Sequence, residues 1–331
     1  MSMRPSVVSP LPLVAPDDFA SAVAASLSER PRQLPSRYFY DELGSSLFGA
    51  ICNLPWYRIT RAECALLAAH GAEMLASMSP LSRIIELGPG NGEKLATLVR
   101  VCAPDTRCAG RPLVLHLIDV SARALEEAQH ALAPLHDVEL VTDQAAYADG
   151  LVALGSDRQP DGHTLVLFLG SNIGNFDRVG AEAFLRGVRA TLGPGDGLLL
   201  GADLVKPERD LLLAYDDPLG VTAAFNRNLL VRMTRELGAE LDLEAFAHRA
   251  LWNARESRVE MHLVSQRSQR VRVASAGLDF VMDEGETIWT ESSYKYRPEE
   301  ILTLLERAGF SASHQWLDGD AGFCVTRARV V

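Results

Sequence analysis

The stretch Gly88-Pro89-Gly90-Asn91-Gly92 sets glycines at alternate positions, where the main chain itself can do chemistry. Glycine lets a ligand come close to the backbone, and amides at the start of a helix favour anions. A dinucleotide fold asks for G-x-G-x-x-G, but the spacing here is G-x-G-x-G, and Glu93 stands in place of the third glycine. Acidic residues accompany the turn: Glu86 precedes it, and Asp119 and Asp143 follow later apolar runs. Metal chemistry is not indicated. The eight histidines include no H-x-H and no H-E-x-x-H. Cys52, Cys64, Cys102, Cys108 and Cys324 form no C-x-x-C pair, and an odd count fits reduced thiols.

The elements that must position these residues follow from periodicity. Arg83 to Leu87 reads as a buried strand entering the glycine turn, and Leu95, Leu98, Val99 and Cys102 then take helical spacing. Upstream, residues 60–78 predict a helix opened by Thr60 and Glu63 in the manner of a capping box. Downstream, Leu113–Ile118 closes on Asp119, Ser121 can cap the next helix, and Val138–Val141 ends near Asp143. Thr164–Leu169 is a strongly apolar strand, 178–192 a helix, and LLLGADL another strand. This alternation predicts an α/β fold with a parallel sheet covered on both faces. The rhythm then breaks. A long helix over 221–238 precedes two runs of period-2 alternation, Val259/Met261/Leu263 and Val271/Val273, which predict antiparallel strands. A helix near 298–308, stopped by Gly309, and strands near 312–317 and 322–328 close the chain.

At 331 residues the chain is long enough for two domains, and ordinary apolar and charged fractions exclude a disordered or fibrous protein. A formal charge of −11 argues against generic binding to nucleic acid or an anionic membrane. The Pro- and Ser-rich N-terminus has no signal-peptide core, and the apolar runs are strand-sized, so a cytoplasmic location is expected. Residues 1–19 are expected to form a flexible lead. Residues 60–204 plus 291–331 are expected to form the α/β domain, and 20–59 plus 205–290 a second α+β domain.

Glu86 followed by the G-x-G-x-G turn, with Asp119 closing the next strand, resembles the S-adenosylmethionine (SAM) pattern of class I, Rossmann-like methyltransferases. A more specific likeness runs through most of the chain. Arg37-Tyr38-Phe39-Tyr40-Asp41, Gly44-Ser45, Leu47-Phe48, Leu54-Pro55-Trp56-Tyr57 and Thr60-Arg61-Ala62-Glu63 resemble the SAM-dependent L-histidine Nα-methyltransferases of ergothioneine biosynthesis. So do Gly170-Ser171-Asn172-Ile173-Gly174-Asn175, Ala214-Tyr215-Asp216-Asp217, Gly220 to Asn226, and Thr290 to Tyr296.

The resemblance implies trimethylation of the histidine α-amine to hercynine, with SAM as cofactor, no metal, and a small-molecule partner; a monomer is plausible. It implies Glu86, Gly88, Gly90, Lys94, Asp119 and Asp143 at SAM. It places Asn175 and Tyr215 at the histidine carboxylate, with Gly170 beside the substrate and Tyr40 and Tyr57 near the amine. Tyr40 and Asn175 are the expected catalytic pair. Glu291 and Ser293 would bond the imidazole, and Phe48 and Met261 would supply apolar wall. Blander readings stand beside these: a solvated edge for Glu291 and Ser293, core rings for the tyrosines, packing for Met261, a turn for Asn175, and an exposed Lys94. The loop residues Asn91 and Gly92, Gln144 after Asp143, and Trp56 beside Tyr57 depart from the family's usual pattern. The rival readings are an N-methyltransferase for another amino acid, an NAD-dependent oxidoreductase, and a binding module without catalysis.

Overall fold

A computed structural model of the chain describes residues 17–154 and 162–331. In chain order the helices are α1 (Asp17–Ser28), α2 (Glu42–Cys52), α3 (Ile59–Ala76), α4 (Glu93–Val101), α5 (Ala122–Leu132), α6 (Tyr147–Leu154), α7 (Arg178–Thr191), α8 (Glu208–Tyr215), α9 (Val221–Leu237) and α10 (Pro298–Arg307). The strands are β1 (Arg32–Gln33), β2 (Leu81–Leu87), β3 (Leu113–Asp119), β4 (Val138–Gln144), β5 (His163–Phe168), β6 (Gly197–Asp203), β7 (Phe246–Asn253), β8 (Arg258–Ser265), β9 (Gln269–Val273), β10 (Leu278–Met282), β11 (Thr287–Tyr294), β12 (Ser311–Asp318) and β13 (Phe323–Arg329). The described residues divide into two compact units, one containing 59–154, 162–205 and 295–331, the other 17–58 and 206–294. Of the lead expected over 1–19, residues 17–19 are helical, in α1; residues 1–16 lie outside the described residues.

The first unit is built on a seven-stranded sheet in the order β12-β13-β6-β5-β2-β3-β4. Strands β2 to β6 run parallel, and β13 is antiparallel to both β6 and β12. Every residue of β2 and β6 is buried, which explains why their apolar residues come in runs, Ile84-Ile85 and Leu198 to Leu200, rather than alternating. Strand β2 lies between β3 and β5, so the chain leaves it in one direction and returns on its other side. Such a reversal opens a crevice beyond the carboxyl ends of the strands, where ligands of open α/β sheets bind. The Ser121 hydroxyl caps α5, as its sequence position predicts.

The second unit holds a four-stranded sheet, β1-β11-β8-β7, and a separate β9–β10 hairpin. Both alternating runs are strands, β8 and β9, but they do not pair with each other: β8 lies between β11 and β7, while β9 joins β10. Alternation reports which face is buried, not which strand is the neighbour. Helix α9 packs Phe225, Leu229, Leu230 and Met233 inward and ends on Gly238 in the left-handed region, the usual helix stop. Among the described residues no helix is long and apolar enough to cross a membrane.

Candidate active site

In the first unit, the carboxyl ends of β2, β3, β4 and β5 deliver Glu86, Asp119, Asp143 and the Gly170 loop respectively. Gly88, Gly90 and Gly92 all take positive φ, at 75°, 55° and 75°. At Gly92 a Cβ would stand 2.8 Å from the Ala128 backbone, so glycine is what lets α4 start against α5. At Gly90 a Cβ would meet nothing within 4 Å, leaving the backbone open beside the first turn of α4. Glu86 is almost wholly buried, and its Oε2 has no hydrogen-bond partner. An open glycine turn beside an orphaned buried carboxylate suits a ligand with polar and cationic groups, as SAM has. Burial pushes the Glu86 carboxyl up to about 8, against the pull of Lys94 and with help from Glu63 and Asp119. Asp119 rises to about 6 through burial, although the Ser121 and Val120 amides oppose the rise.

A raised carboxyl makes a signed prediction. Between pH 4.5 and about 8 the folded Glu86 holds a proton that the unfolded chain has released, so stability falls as pH rises through that window. This one group contributes a slope of up to about 1.4 kcal/mol per pH unit. Glu86→Gln is expected to flatten the decline in urea stability between pH 5.5 and 7.5, measured without SAM. Equal slopes in both proteins would contradict it.

Lys94 is not merely exposed. Its Nζ lies 2.6 Å from Oε2 of Glu63 in α3. The Gly170 amide donates to both oxygens of Glu63, at 3.0 and 2.8 Å. Glu63 is fully buried, so the capping role expected from Thr60 and Glu63 is replaced by an internal anchor joining α3, α4 and the loop after β5. Gly201 of β6 makes the room: a Cβ there would stand 1.9 Å from Oε1 of Glu63. Gly201→Ala is therefore expected to cost about 1–3 kcal/mol in urea unfolding through overpacking. A loss under a few tenths of a kcal/mol would mean that the carboxylate can step aside.

Asp143 is held by a partner the sequence reading missed: His116 Nε2 lies 2.7 Å from its Oδ2. The parallel register sets His116 opposite Val141, two residues before Asp143 on the same face of β4. Gln144 turns back to donate to the Val120 carbonyl. Asn175 ends the short 3-10 turn Asn172–Asn175 and is exposed.

The second unit gathers the remaining residues. Across the β8–β11 ladder Glu291 sits opposite Met261, and Ser293 opposite Val259. A bulge between Trp289 and Glu291 shifts the register and turns Glu291 and Ser293 onto the buried Met261 face. Tyr215, the last residue of α8, donates its hydroxyl to Ser293 Oγ at 2.7 Å. From there rings follow one another edge to face: Tyr57 lies 6.4 Å from Tyr215, Phe48 6.3 Å from Tyr57, and Tyr40 5.5 Å from Phe48. Tyr40, Phe48, Tyr57, Tyr215, Met261, Glu291 and Ser293 thus belong to one aromatic and polar patch, although they are scattered over 254 sequence positions in five segments of the chain.

Comparison with known proteins identifies the family. Residues 19–330 match the family described as histidine-specific methyltransferase, SAM-dependent. The chain is 42% identical to a histidine N-alpha-methyltransferase of Mycolicibacterium smegmatis, over 91% of this chain and 92% of that one. It is 39% identical to the histidine N-alpha-methyltransferase of Mycobacterium tuberculosis, with the same coverage. It is also 26% identical to an L-tryptophan methyltransferase of Psilocybe serbica, over 93% of this chain and 92% of the other. With a match that spans nearly its whole length, and identity of this order to two such enzymes, the chain belongs to the histidine-specific, SAM-dependent methyltransferases.

Proposed function

We propose that this protein transfers three methyl groups in succession to the α-amine of L-histidine, giving hercynine, as a step of ergothioneine biosynthesis. When bound, SAM supplies the methyl group on a positively charged sulfur. Glu86, Gly88, Gly90, Lys94, Asp119 and Asp143 are the residues that would hold it. The observation that carries the substrate reading is the pairing of Glu291 and Ser293 with Met261 and Tyr215 on one sheet face.

Imidazole offers one N–H donor and one acceptor nitrogen in its neutral form, and a carboxylate plus a hydroxyl match both. Glu291 accepts from the ring N–H. Ser293 accepts from Tyr215 through its oxygen, and with histidine bound its hydroxyl hydrogen would turn to the other ring nitrogen. Asn175 supplies an amide N–H suited to a carboxylate, while the Tyr215 hydroxyl gives its hydrogen to Ser293 and so sets the Ser293 hydroxyl. The amine attacks through its lone pair and must shed a proton before each transfer. The Tyr40 and Tyr57 oxygens orient that lone pair by hydrogen bonding, and orientation with water excluded accounts for most of the acceleration such a displacement needs. The last transfer leaves a quaternary ammonium with nothing to donate. Aromatic faces of Tyr40, Phe48 and Tyr57 suit that cation, because ring quadrupoles attract a charge that cannot hydrogen-bond.

The test is mass spectrometry of incubations with SAM and each of the twenty amino acids. Mono-, di- and trimethylhistidine are expected from histidine alone. Methylation of another amino acid, with histidine left untouched, would overturn the assignment and favour the neighbouring specificity that the tryptophan-methylating relative represents.

A further inference from the structure

Behind Tyr215 lies a buried chain of hydrogen bonds that none of the residues named so far explains. His248 of β7 has a side chain only 2% exposed. Its Nε2 is 2.8 Å from the Tyr215 carbonyl, and its Nδ1 is 2.9 Å from the Asn226 side-chain nitrogen. That Asn226 nitrogen also donates to the His262 carbonyl at 3.1 Å. On its other side Asn226 Oδ1 accepts from Thr290 Oγ1 at 2.7 Å, and Thr290 lies 3.0 Å from the Met261 carbonyl. Thr290 is the extra residue of the bulge that turns Glu291 onto the Met261 face.

The protons in this chain are determined by elimination. The His262 carbonyl can only accept, so the Asn226 side-chain nitrogen faces it and His248, and Asn226 Oδ1 then takes the one hydrogen of the Thr290 hydroxyl. His248 Nδ1 must then be bare, and the ring proton sits on Nε2, donating to the Tyr215 carbonyl. A second proton on His248 would set N–H against N–H. Tyr215 is consequently gripped at both ends, its carbonyl by His248 and its hydroxyl by Ser293.

We propose that His248, kept neutral by Asn226, is a positioning residue that sets Tyr215 and the Glu291–Ser293 strand for the amino-acid substrate, so that protonation of His248 weakens substrate binding but not SAM binding. The proposal rests on the reading that this patch holds the substrate. Burial keeps the imidazole below its ordinary value, opposed by its bond to the Tyr215 carbonyl and by Asp216, while Arg227 of α9 adds to the depression and Asp217 resists it. From β8 the residue directly opposite is Leu263, which carries no charge. The imidazole is therefore neutral at pH 7 and above, and its loss of function belongs to the acid side, below the ordinary histidine range.

The experiment compares wild type, His248→Gln and His248→Phe between pH 5 and 8.5, measuring kcat and KM for the methylated amino acid and S-adenosylhomocysteine affinity by calorimetry. Glutamine retains an N–H donor toward Tyr215 but does not titrate; phenylalanine retains the ring and removes both bonds. At pH 8, His248→Phe is expected to raise KM about tenfold, the usual consequence of leaving a buried carbonyl unsatisfied. His248→Gln should restore KM to within about threefold of wild type, the scale of a neutral hydrogen bond replaced by a slightly misplaced one. The ratio of wild-type KM to that of His248→Gln should rise as pH falls, since substrate titration is common to both. A flat ratio overturns the proposal, as does a loss in which S-adenosylhomocysteine affinity collapses together with KM. If His248→Phe does not fold, the pH profile of His248→Gln decides alone. If wild type methylates an amino acid other than histidine, the substrate reading fails by itself, and the same ratio is measured on that amino acid.

Discussion

Replacing Glu291 by alanine is expected to raise KM for histidine about a hundredfold, the scale on which a site built to bond a polar group discriminates when one bond is lost. SAM affinity should stay within about twofold, because an uncharged side chain at this sheet position leaves the SAM groups unaltered. Glu291 sits after the β11 bulge, opposite Met261, on a face it shares with the buried side chains of Val259, Leu263 and Ile288. An imidazole entering such a face loses water from its N–H and needs an acceptor there; a carboxylate is the strongest one a protein offers. Ser293→Ala should cost less, about tenfold in KM, because the hydroxyl bond it removes is neutral. Its loss also frees the Tyr215 hydroxyl, so the two positions should not add. Initial rates at saturating SAM, with calorimetry of SAM binding, separate the outcomes. Equal losses of histidine and SAM binding in Glu291→Ala would make the residue structural and remove its role in specificity.

Much of the first unit was legible because its strands are buried on both faces and its turns carry their own chemistry. Arg83 to Leu87 entering the glycine turn, Ser121 before α5 and Gly309 after α10 are local signals, and the structure places each within a residue or two of its expected position. The second unit was harder. Strand β7, Phe246–Asn253, is mostly half-buried and carries His248, Arg249 and Asn253, so it shows no clean alternation. The β8–β11 pairing is made across the whole intervening β9–β10 hairpin, and its bulge is invisible in a pattern of period two. His248 and Asn226 become partners only once β7 and α9 pack together. Glu63 shows a different failure: its spacing from Thr60 satisfied a local rule, while tertiary burial gave the carboxylate another use. A hint was present in its neighbours, since an acid among Ala62, Cys64, Leu66 and Leu67 points inward with them.

Glu63→Ala is expected to destabilise the protein by about 3–5 kcal/mol, the range for removing one partner of a buried ion pair. The carboxylate is fully buried and serves two donors at once, the Lys94 ammonium and the Gly170 amide. Alanine leaves the cation only 19% exposed and short of its nearest counter-charge, and leaves the amide without this acceptor. It also empties the space that Gly201 makes, so a cavity adds to the electrostatic loss. Glu63→Gln should cost less, because an amide oxygen still accepts from Gly170 while only the charge is lost. Removing both members of the pair in Glu63→Ala/Lys94→Met should cost less than the sum of the single changes, since no buried charge is then left alone. The same anchor holds Lys94 at the start of α4 beside the glycine turn, so SAM affinity should fall in Glu63→Ala and partly survive in Glu63→Gln. Urea unfolding and SAM calorimetry on wild type, Glu63→Ala, Glu63→Gln, Lys94→Met and the double variant test both halves. A cost under about 1 kcal/mol for Glu63→Ala would place this pair with exposed ion pairs, which contribute little, and the anchor would then have to be sought among the other bonds of the Gly170 loop.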